Sequence, residues 1–297
     1  MLTPGGAPGS PPAGIGRNVG TATQLPGGWV VGTGMNLRIN NRKALITGAA
    51  GGMGAATARF LLDEGVTLVL TDKDEQQLTK TAESLGSDKV STVVANLTEE
   101  ADLDRLAREV GDIDILVHTA GITGAKGDPL QEVTDEDYRE AFETDFLSGV
   151  RVSRRFVPAM RKAGWGRVVF VTSENVAQPY DDEAVYNGAK AALLTFAKAC
   201  AQRYAPDGVL VNSVAPAFIE TDMTDGMMEK RAEKNDVSKQ EAIDTFLEED
   251  RPHLVLDRRG KAEEVGAVIA FLCSELASFV VGANYRVDGG SVQSIDL

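Results

Sequence analysis

From Arg42 onward, short runs of β-branched and aliphatic residues alternate with longer amphipathic segments, and this alternation leaves few folds open. The runs are KALIT (Lys43 to Thr47), TLVLT (Thr67 to Thr71), VSTVVA (Val90 to Ala95), IDILV (Ile113 to Val117), RVVFVT from Arg167 and VLVNSV from Val209. Helix-length stretches separate them: about Met53 to Glu64, a polar segment ending near Leu85, and one with Glu99 and Glu100 in its first turn. Longer ones run from about Asp135 to Lys162 and from about Ala184 to Tyr204. Strands separated by helices are βαβ units, which call for a parallel sheet with helices on both faces. Right-handed crossovers then give a doubly wound, Rossmann-type α/β fold. One domain, residues 35–297, carries the pattern.

Two stretches break the rhythm. Residues 1–34 are rich in Gly and Pro, with no helical or strand period and no basic start before an apolar run. They read as a flexible extension and not as a signal peptide. After Thr221, about 40 residues pass before the next apolar helix near Ala262. Within that 222–260 insertion, Met227, Met228, Ala242, Ile243, Phe246 and Leu247 suit one or two amphipathic helices. Such an insertion on the strand C-terminal side is either a solvated excursion or a lid over a ligand.

Charge and cysteine content exclude several functions. A formal net charge of −14 argues against nucleic acid, whose phosphates need clustered Lys and Arg. Two cysteines, Cys200 and Cys273, make no disulfide framework and read as buried small hydrophobes, which fits a reducing cytoplasm. The two histidines, His118 and His253, are too far apart in sequence to build a metal cluster with them, so no metal is expected. No stretch is apolar enough to read as a membrane span.

Three features carry chemistry. The turn TGAAGGMG, Thr47 to Gly54, joins the first strand to the first helix. Glycines there let backbone approach a pyrophosphate, which the free N–H groups of a helix N-terminus stabilise. Asp72 closes the second strand 24 residues after Gly48. Its carboxylate can accept from both adenosine ribose hydroxyls and would repel a 2′-phosphate. Ala49 and Ala50 offer no cation to such a phosphate, and Lys73 is adjacent to Asp72, so NAD(H) is favoured over NADP(H). Finally, Tyr186 and Lys190 stand four apart and share a helix face, with Ser173 13 residues upstream beyond an apolar strand. A phenol of pKa about 10 is a poor proton acceptor at neutral pH. A neighbouring ammonium is expected to lower it, and the Ser173 hydroxyl could hold a substrate oxygen.

In these motifs the chain resembles the short-chain dehydrogenase/reductase family, over roughly Leu37 to Ser291 and in the family's order and spacing. Thr47 to Gly54 matches T-G-x-x-x-G-x-G, and Tyr186 with Lys190 matches Y-x-x-x-K, with Ser173 at the serine spacing. VNSVAPAFIETDM resembles the segment after the sixth strand, and YRVDGGS the C-terminal strand and turn. The resemblance implies hydride exchange between a nicotinamide cofactor and an alcohol or carbonyl. Tyr186 would be the general acid/base and Ser173 would orient the reacting oxygen. Lys190 would bind the nicotinamide ribose and tune Tyr186. The cofactor would meet Gly48, Gly52, Met53, Gly54, Asp72, Asn96, Leu97, Ala120, Gly121, Pro216, Ile219 and Thr221, besides Tyr186 and Lys190. A homo-oligomer, normally a tetramer, is implied as well.

Four positions depart from the family. His118-Thr119-Ala120-Gly121 replaces N-N-A-G, so the bracing of the fourth strand must differ. Asn96 replaces an Asp that meets the adenine, keeping an acceptor and adding donors. Pro216-Ala217 replaces P-G. Asp145 stands where the catalytic tetrad has Asn: it could pair with Lys190 and oppose its effect on Tyr186, or keep a water through its backbone carbonyl. Two rivals follow, a catalytically weak NAD(H) binder acting as sensor or scaffold, and a nucleotide-sugar epimerase or dehydratase. The second usually has a larger C-terminal domain than the about 75 residues after Thr221 allow. The substrate pocket is expected from three loops, Ile122 to Leu130, Glu174 to Glu183 and Ala217 to Asp250. The last two are acidic and unwelcoming to an anion unless Arg231, Lys234 or Arg251 turns inward.

Overall fold

Seven strands form one sheet in which every neighbouring pair is parallel. In chain order they are β1 Lys43–Thr47, β2 Thr67–Asp72, β3 Val90–Val94, β4 Ile115–His118, β5 Gly166–Val171, β6 Val209–Pro216 and β7 Asn284–Val287. Across the sheet they run β7-β6-β5-β4-β1-β2-β3, so the winding reverses between β1 and β4. A crevice opens at such a reversal, beyond the carboxyl ends of the two strands.

The computed structural model describes residues 36–295, together with the backbone of a short antiparallel pair, Thr23–Gln24 with Val30–Val31. That pair apart, the expectation for residues 1–34 falls outside the described residues. Leu37–Leu297 is one compact unit.

Both faces of the sheet are buried, which is why its central strands are almost continuously apolar. Side chains alternate across the pleat. Ala44 and Ile46 of β1, with Ile115 and Val117 of β4, enter one core with Ala58, Leu61, Val265 and Ile269. Those partners come from α1 (Gly52–Asp63) and α8 (Ala262–Leu272). Leu45 and Leu116 point the other way, into a core with Leu106, Phe156 and Leu193. That layer comprises α3 (Glu100–Val110), the long helix α4 (135–163) and α5 (Ala184–Tyr204). The remaining crossover helix, α2, spans Glu75–Leu85.

Helix α4 is not the uninterrupted helix that its pattern predicts. It runs Asp135–Ala141, widens into a π turn over Phe142–Leu147, and resumes as Ser148–Ala163. The Ser148 N–H donates to the Glu143 carbonyl, five residues back. The insertion after Thr221 is helical: α6 Asp222–Asn235 and α7 Lys239–Asp250. Thr221 caps α6 and Ser238 caps α7, each accepting from a first-turn N–H. The pair encloses its own small core of Phe218, Met228, Ile243, Phe246, Leu247 and Leu254.

Candidate active site

At the crevice, backbone does most of the shaping. Gly48 has φ +66°, and a Cβ there would stand 2.6 Å from the Ala120 nitrogen, so only glycine lets the turn after β1 pass the segment after β4. Helix α1 begins at Gly52 with no side-chain cap and no acidic residue in its first turn. Its first N–H groups are therefore open to an anion. Asp72 is fixed at the rim: the Ala50 N–H donates to Oδ2 at 3.1 Å and the Asp74 N–H to Oδ1 at 3.2 Å. A groove of about 880 Å3 runs along these elements, lined by Gly48, Gly52, Met53, Gly54, Asp72, Asn96, Leu97, Ala120, Gly121 and Thr221. Size, glycine turn, uncapped helix and rim carboxylate all suit a dinucleotide. Asn96 keeps its side-chain acceptor, which is engaged locally. Its Oδ1 already accepts from the Thr98 N–H and hydroxyl, at 3.2 and 3.0 Å.

The groove leads to an inner chamber lined by Ser173, Tyr186, Lys190, Pro216 and Ile219. Tyr186 and Lys190 occupy successive turns of α5, with the ammonium 5.5 Å from the phenol ring centre. Ser173 follows β5; its hydroxyl donates to Asn175 Oδ1 at 2.9 Å and accepts from the Asn175 N–H. Asp145, in the π turn, is fully buried and lines neither cavity. Its Oδ1 accepts from the Ile122 N–H at 2.9 Å and lies 3.3 Å from Lys190 Nζ. Oδ2 is buried without a hydrogen-bond partner. Gly121 makes this packing possible, since a Cβ there would stand 2.3 Å from Asp145 Oδ1 and 3.0 Å from Lys190 Nζ.

Charge and burial compete at this site. Burial pushes the Asp145 carboxyl up, against the pull of Lys190 and the Ile122 N–H. Burial works to lower the Lys190 ammonium, but Asp145 and Tyr186 more than offset it and hold the lysine protonated. For Tyr186, burial raises the phenol, Lys190 lowers it and Asp145 raises it again, leaving it above its ordinary value. The Tyr–Lys spacing alone predicts the opposite direction. The Asp145 side chain stands within ion-pairing distance of Lys190, as the first of its two possible roles requires.

His118 supplies the different bracing of β4. Burial, then Lys190, pushes its pKa down to about 3, so the ring is neutral. Ser148 gives its hydroxyl proton to the Thr144 carbonyl, so it accepts from His118 Nε2–H at 3.3 Å. Nδ1 then accepts from the Thr47 hydroxyl at 2.8 Å, joining β4 to β1 and α4 through one ring.

Further polar residues of the chamber were not singled out from sequence, with one partial exception. Lys126, Glu174, Asn175 and Glu183 line it together with Arg251, which does turn inward. Arg231 instead pairs with Glu249 and Asp250, and Lys234 is exposed. The two thiols stay away from this chemistry: burial pushes Cys200 to about 11 and Cys273 to about 12. Among the described residues, no cluster of His, Cys, Asp and Glu could hold a metal, and no helix is long and apolar enough to cross a membrane.

A dinucleotide groove opening at the sheet's reversal and ending on a Tyr–Lys pair and a serine defines a nicotinamide-dependent oxidoreductase. Residues 48–292 match the family described as enoyl-(acyl carrier protein) reductase. The 3-oxoacyl-acyl-carrier-protein reductase of Aquifex aeolicus is 32% identical over 86% of this chain and 99% of its own. Meso-2,3-butanediol dehydrogenase of Serratia marcescens is 34% identical over 87% of this chain and 97% of its own. Among solved structures, L-sorbose reductase from Gluconobacter frateurii, complexed with NADPH and L-sorbose, has a TM-score of 0.82. It is 30% identical and covers 88% of this chain and 100% of that one. The chain belongs to the short-chain dehydrogenase/reductase family, and is an oxidoreductase acting on alcohol or ketone substrates with a pyridine nucleotide.

Proposed function

We propose that this enzyme interconverts secondary alcohols and ketones with NAD(H), using Tyr186 as general acid/base. The observation that carries the reading is the convergence of Ser173, Tyr186 and Lys190 in one chamber at the end of the dinucleotide groove. The nicotinamide cofactor, when bound in the groove, would supply hydride exchange with the substrate's alcohol or ketone carbon. Tyr186 accepts the hydroxyl proton in oxidation and gives it back in reduction. Ser173 positions the reacting oxygen. Lys190 carries the positive charge that favours the phenolate, and Asp145 draws part of that charge away. The first N–H groups of α1 would hold the pyrophosphate, and Thr221 the nicotinamide end. Helices α6 and α7 would act as the lid over the bound pair.

The NAD(H) reading is supported by Asp72, whose carboxylate is held at the groove rim, where it could meet the adenosine ribose. Two charge-assisted hydrogen bonds to the ribose hydroxyls favour it, and a 2′-phosphate meets repulsion. The L-sorbose reductase neighbour was solved with NADPH, so the comparison of cofactors is the direct test. Initial rates with NAD+ and NADP+ on a panel of secondary alcohols should give higher kcat/KM with NAD+. Equal or reversed values would end the NAD(H) assignment. The buried Asp145–Lys190 pair favours one second reading, a weakly catalytic NAD(H) binder. Nucleotide binding without turnover of any alcohol or ketone would select it.

A further inference from the structure

The inner chamber is small, about 140 Å3 against the roughly 300–1,000 Å3 of drug-sized ligand sites. Part of its wall is ionic. Glu183, the residue before α5, accepts from three side chains: Arg251 Nη2 at 2.8 Å and Lys126 Nζ on Oε1, and Asn175 Nδ2 at 2.5 Å on Oε2. Arg251, just past the end of α7, also donates to the Asp250 carbonyl and lies 3.5 Å over the Tyr180 ring. Glu174 is 2% exposed; its Oε1 accepts from the Tyr180 hydroxyl at 3.1 Å, while Oε2 has no hydrogen-bond partner. Burial pushes the Glu174 carboxyl up to about 7, opposed by the Ser291 hydroxyl, Arg251 and Tyr180. Near neutrality it can therefore act as donor or acceptor. Glu183 is also penalised by burial, but Lys126 and Arg251 hold its carboxyl below the ordinary value.

This wall discriminates by chemistry. Two cations stand against two carboxylates, and each cation is already ion-paired with Glu183. An anionic substrate would have to compete with Glu183 for either cation. An apolar one would strip water from the partly exposed Lys126 ammonium and put nothing in its place, which is costly for a charged group. A neutral substrate with additional hydroxyls can accept from Lys126, whose ammonium has further N–H groups, and donate to carboxylate oxygen. We infer that the Lys126–Glu183–Arg251 cluster with Glu174 selects short, uncharged, multiply hydroxylated alcohols and their ketones, such as small diols, polyols and ketoses. The inference rests on the oxidoreductase reading above and adds the substrate class to it.

The test uses the full chain with NAD+ or NADP+, whichever serves better, and compares kcat/KM across a matched set. The set is 2,3-butanediol, a hexitol, 2-butanol, 3-hydroxybutyrate and a 3-hydroxybutyryl thioester. A chamber built to hydrogen-bond a hydroxyl rejects the analogue lacking it strongly. At least one of the two polyhydroxylated compounds should therefore exceed 2-butanol by on the order of 100-fold or more. Lys126→Met, a change on a partly exposed side chain, should raise KM for the polyhydroxylated substrate and shrink that ratio by about tenfold or more, as expected from losing a charge-assisted hydrogen bond. Arg251→Met should shrink it as well. If 2-butanol matches the polyhydroxylated substrates, or the hydroxy acid or thioester is the best substrate, the inference is wrong while the oxidoreductase reading stands. An undiminished ratio in Lys126→Met also overturns it. If no alcohol in the set is oxidised with either nucleotide, the oxidoreductase reading falls and this inference with it.

Discussion

Along the carboxyl edge of the sheet, the outer groove and the inner chamber are walled by different materials. The groove is shaped by the backbone around Gly48 and by the uncapped start of α1, with the Asp72 carboxylate held at its rim by two N–H groups. The chamber is walled by long side chains from separate places: Lys126 after β4, Glu174 after β5, Glu183 before α5 and Arg251 after α7. Backbone geometry is tied to the sheet itself and changes only if the fold does. Side-chain tips can be exchanged one at a time. The groove therefore suits a ligand common to many chemistries, and the chamber suits selection among substrates.

Variants should separate the two regions. The largest effect is expected from Tyr186→Phe, which should lower kcat by roughly 10²–10⁴-fold while leaving NAD(H) affinity nearly unchanged. A near wild-type rate in this variant would falsify the mechanism. Lys190→Ala acts on stability as well as on catalysis. Removing one member of a buried ion pair costs about 3–5 kcal/mol, because Asp145 is left buried without its counter-charge. Its Tm should fall well below that of the double variant Lys190→Met/Asp145→Asn; equal Tm values would show the pair to be energetically idle. In the groove, Asp72→Ala should reduce kcat/KM with NAD+ by about 10- to 100-fold, the scale of one hydrogen bond to a charged acceptor. NADP+ should lose less, and parallel losses would remove Asp72 from cofactor choice.

The smallest effect is a pH shift. Alcohol oxidation needs the Tyr186 phenolate, so its rate should rise with pH through the apparent pKa of that phenol. The Asp145 carboxylate raises that pKa. Asp145→Asn removes the negative charge, so the rising limb should move to lower pH. An unmoved limb would mean that Asp145 does not oppose Lys190 in the working enzyme.

The difference between the regions also explains what could be read from sequence. Strand and helix order follows from local periodicity, and the groove's glycine turn, Asp72 and the Tyr186–Lys190 spacing are local patterns. The chamber wall depends on which of several acidic-loop cations turns inward. Arg231 and Arg251 are the same residue type, and only tertiary packing sets Arg251 against Glu183 and Arg231 against Glu249. The acceptor of Asn96 is engaged by Thr98, two residues away, a local turn preference of Asn. The π turn was missed for a related reason. Its buried acid answers to the Ile122 N–H, 23 residues earlier in the chain, so no helical periodicity reports it.

That turn sets the phase of everything after it. A π turn holds one residue more than the regular helix would over the same span, and one residue corresponds to about 100° of rotation. The extra residue lets Asp145 face Ile122 and Lys190 while Val152, Phe156 and Met160 still face the sheet. Deleting one residue from Phe142–Leu147 would restore regular winding at the expense of this double alignment. Either the acid swings away from the lysine or the following three turns present polar residues to the core. The helix thus works as a phase adapter between the active site and the body of the protein, and its irregular winding is the part least tolerant of a change in length.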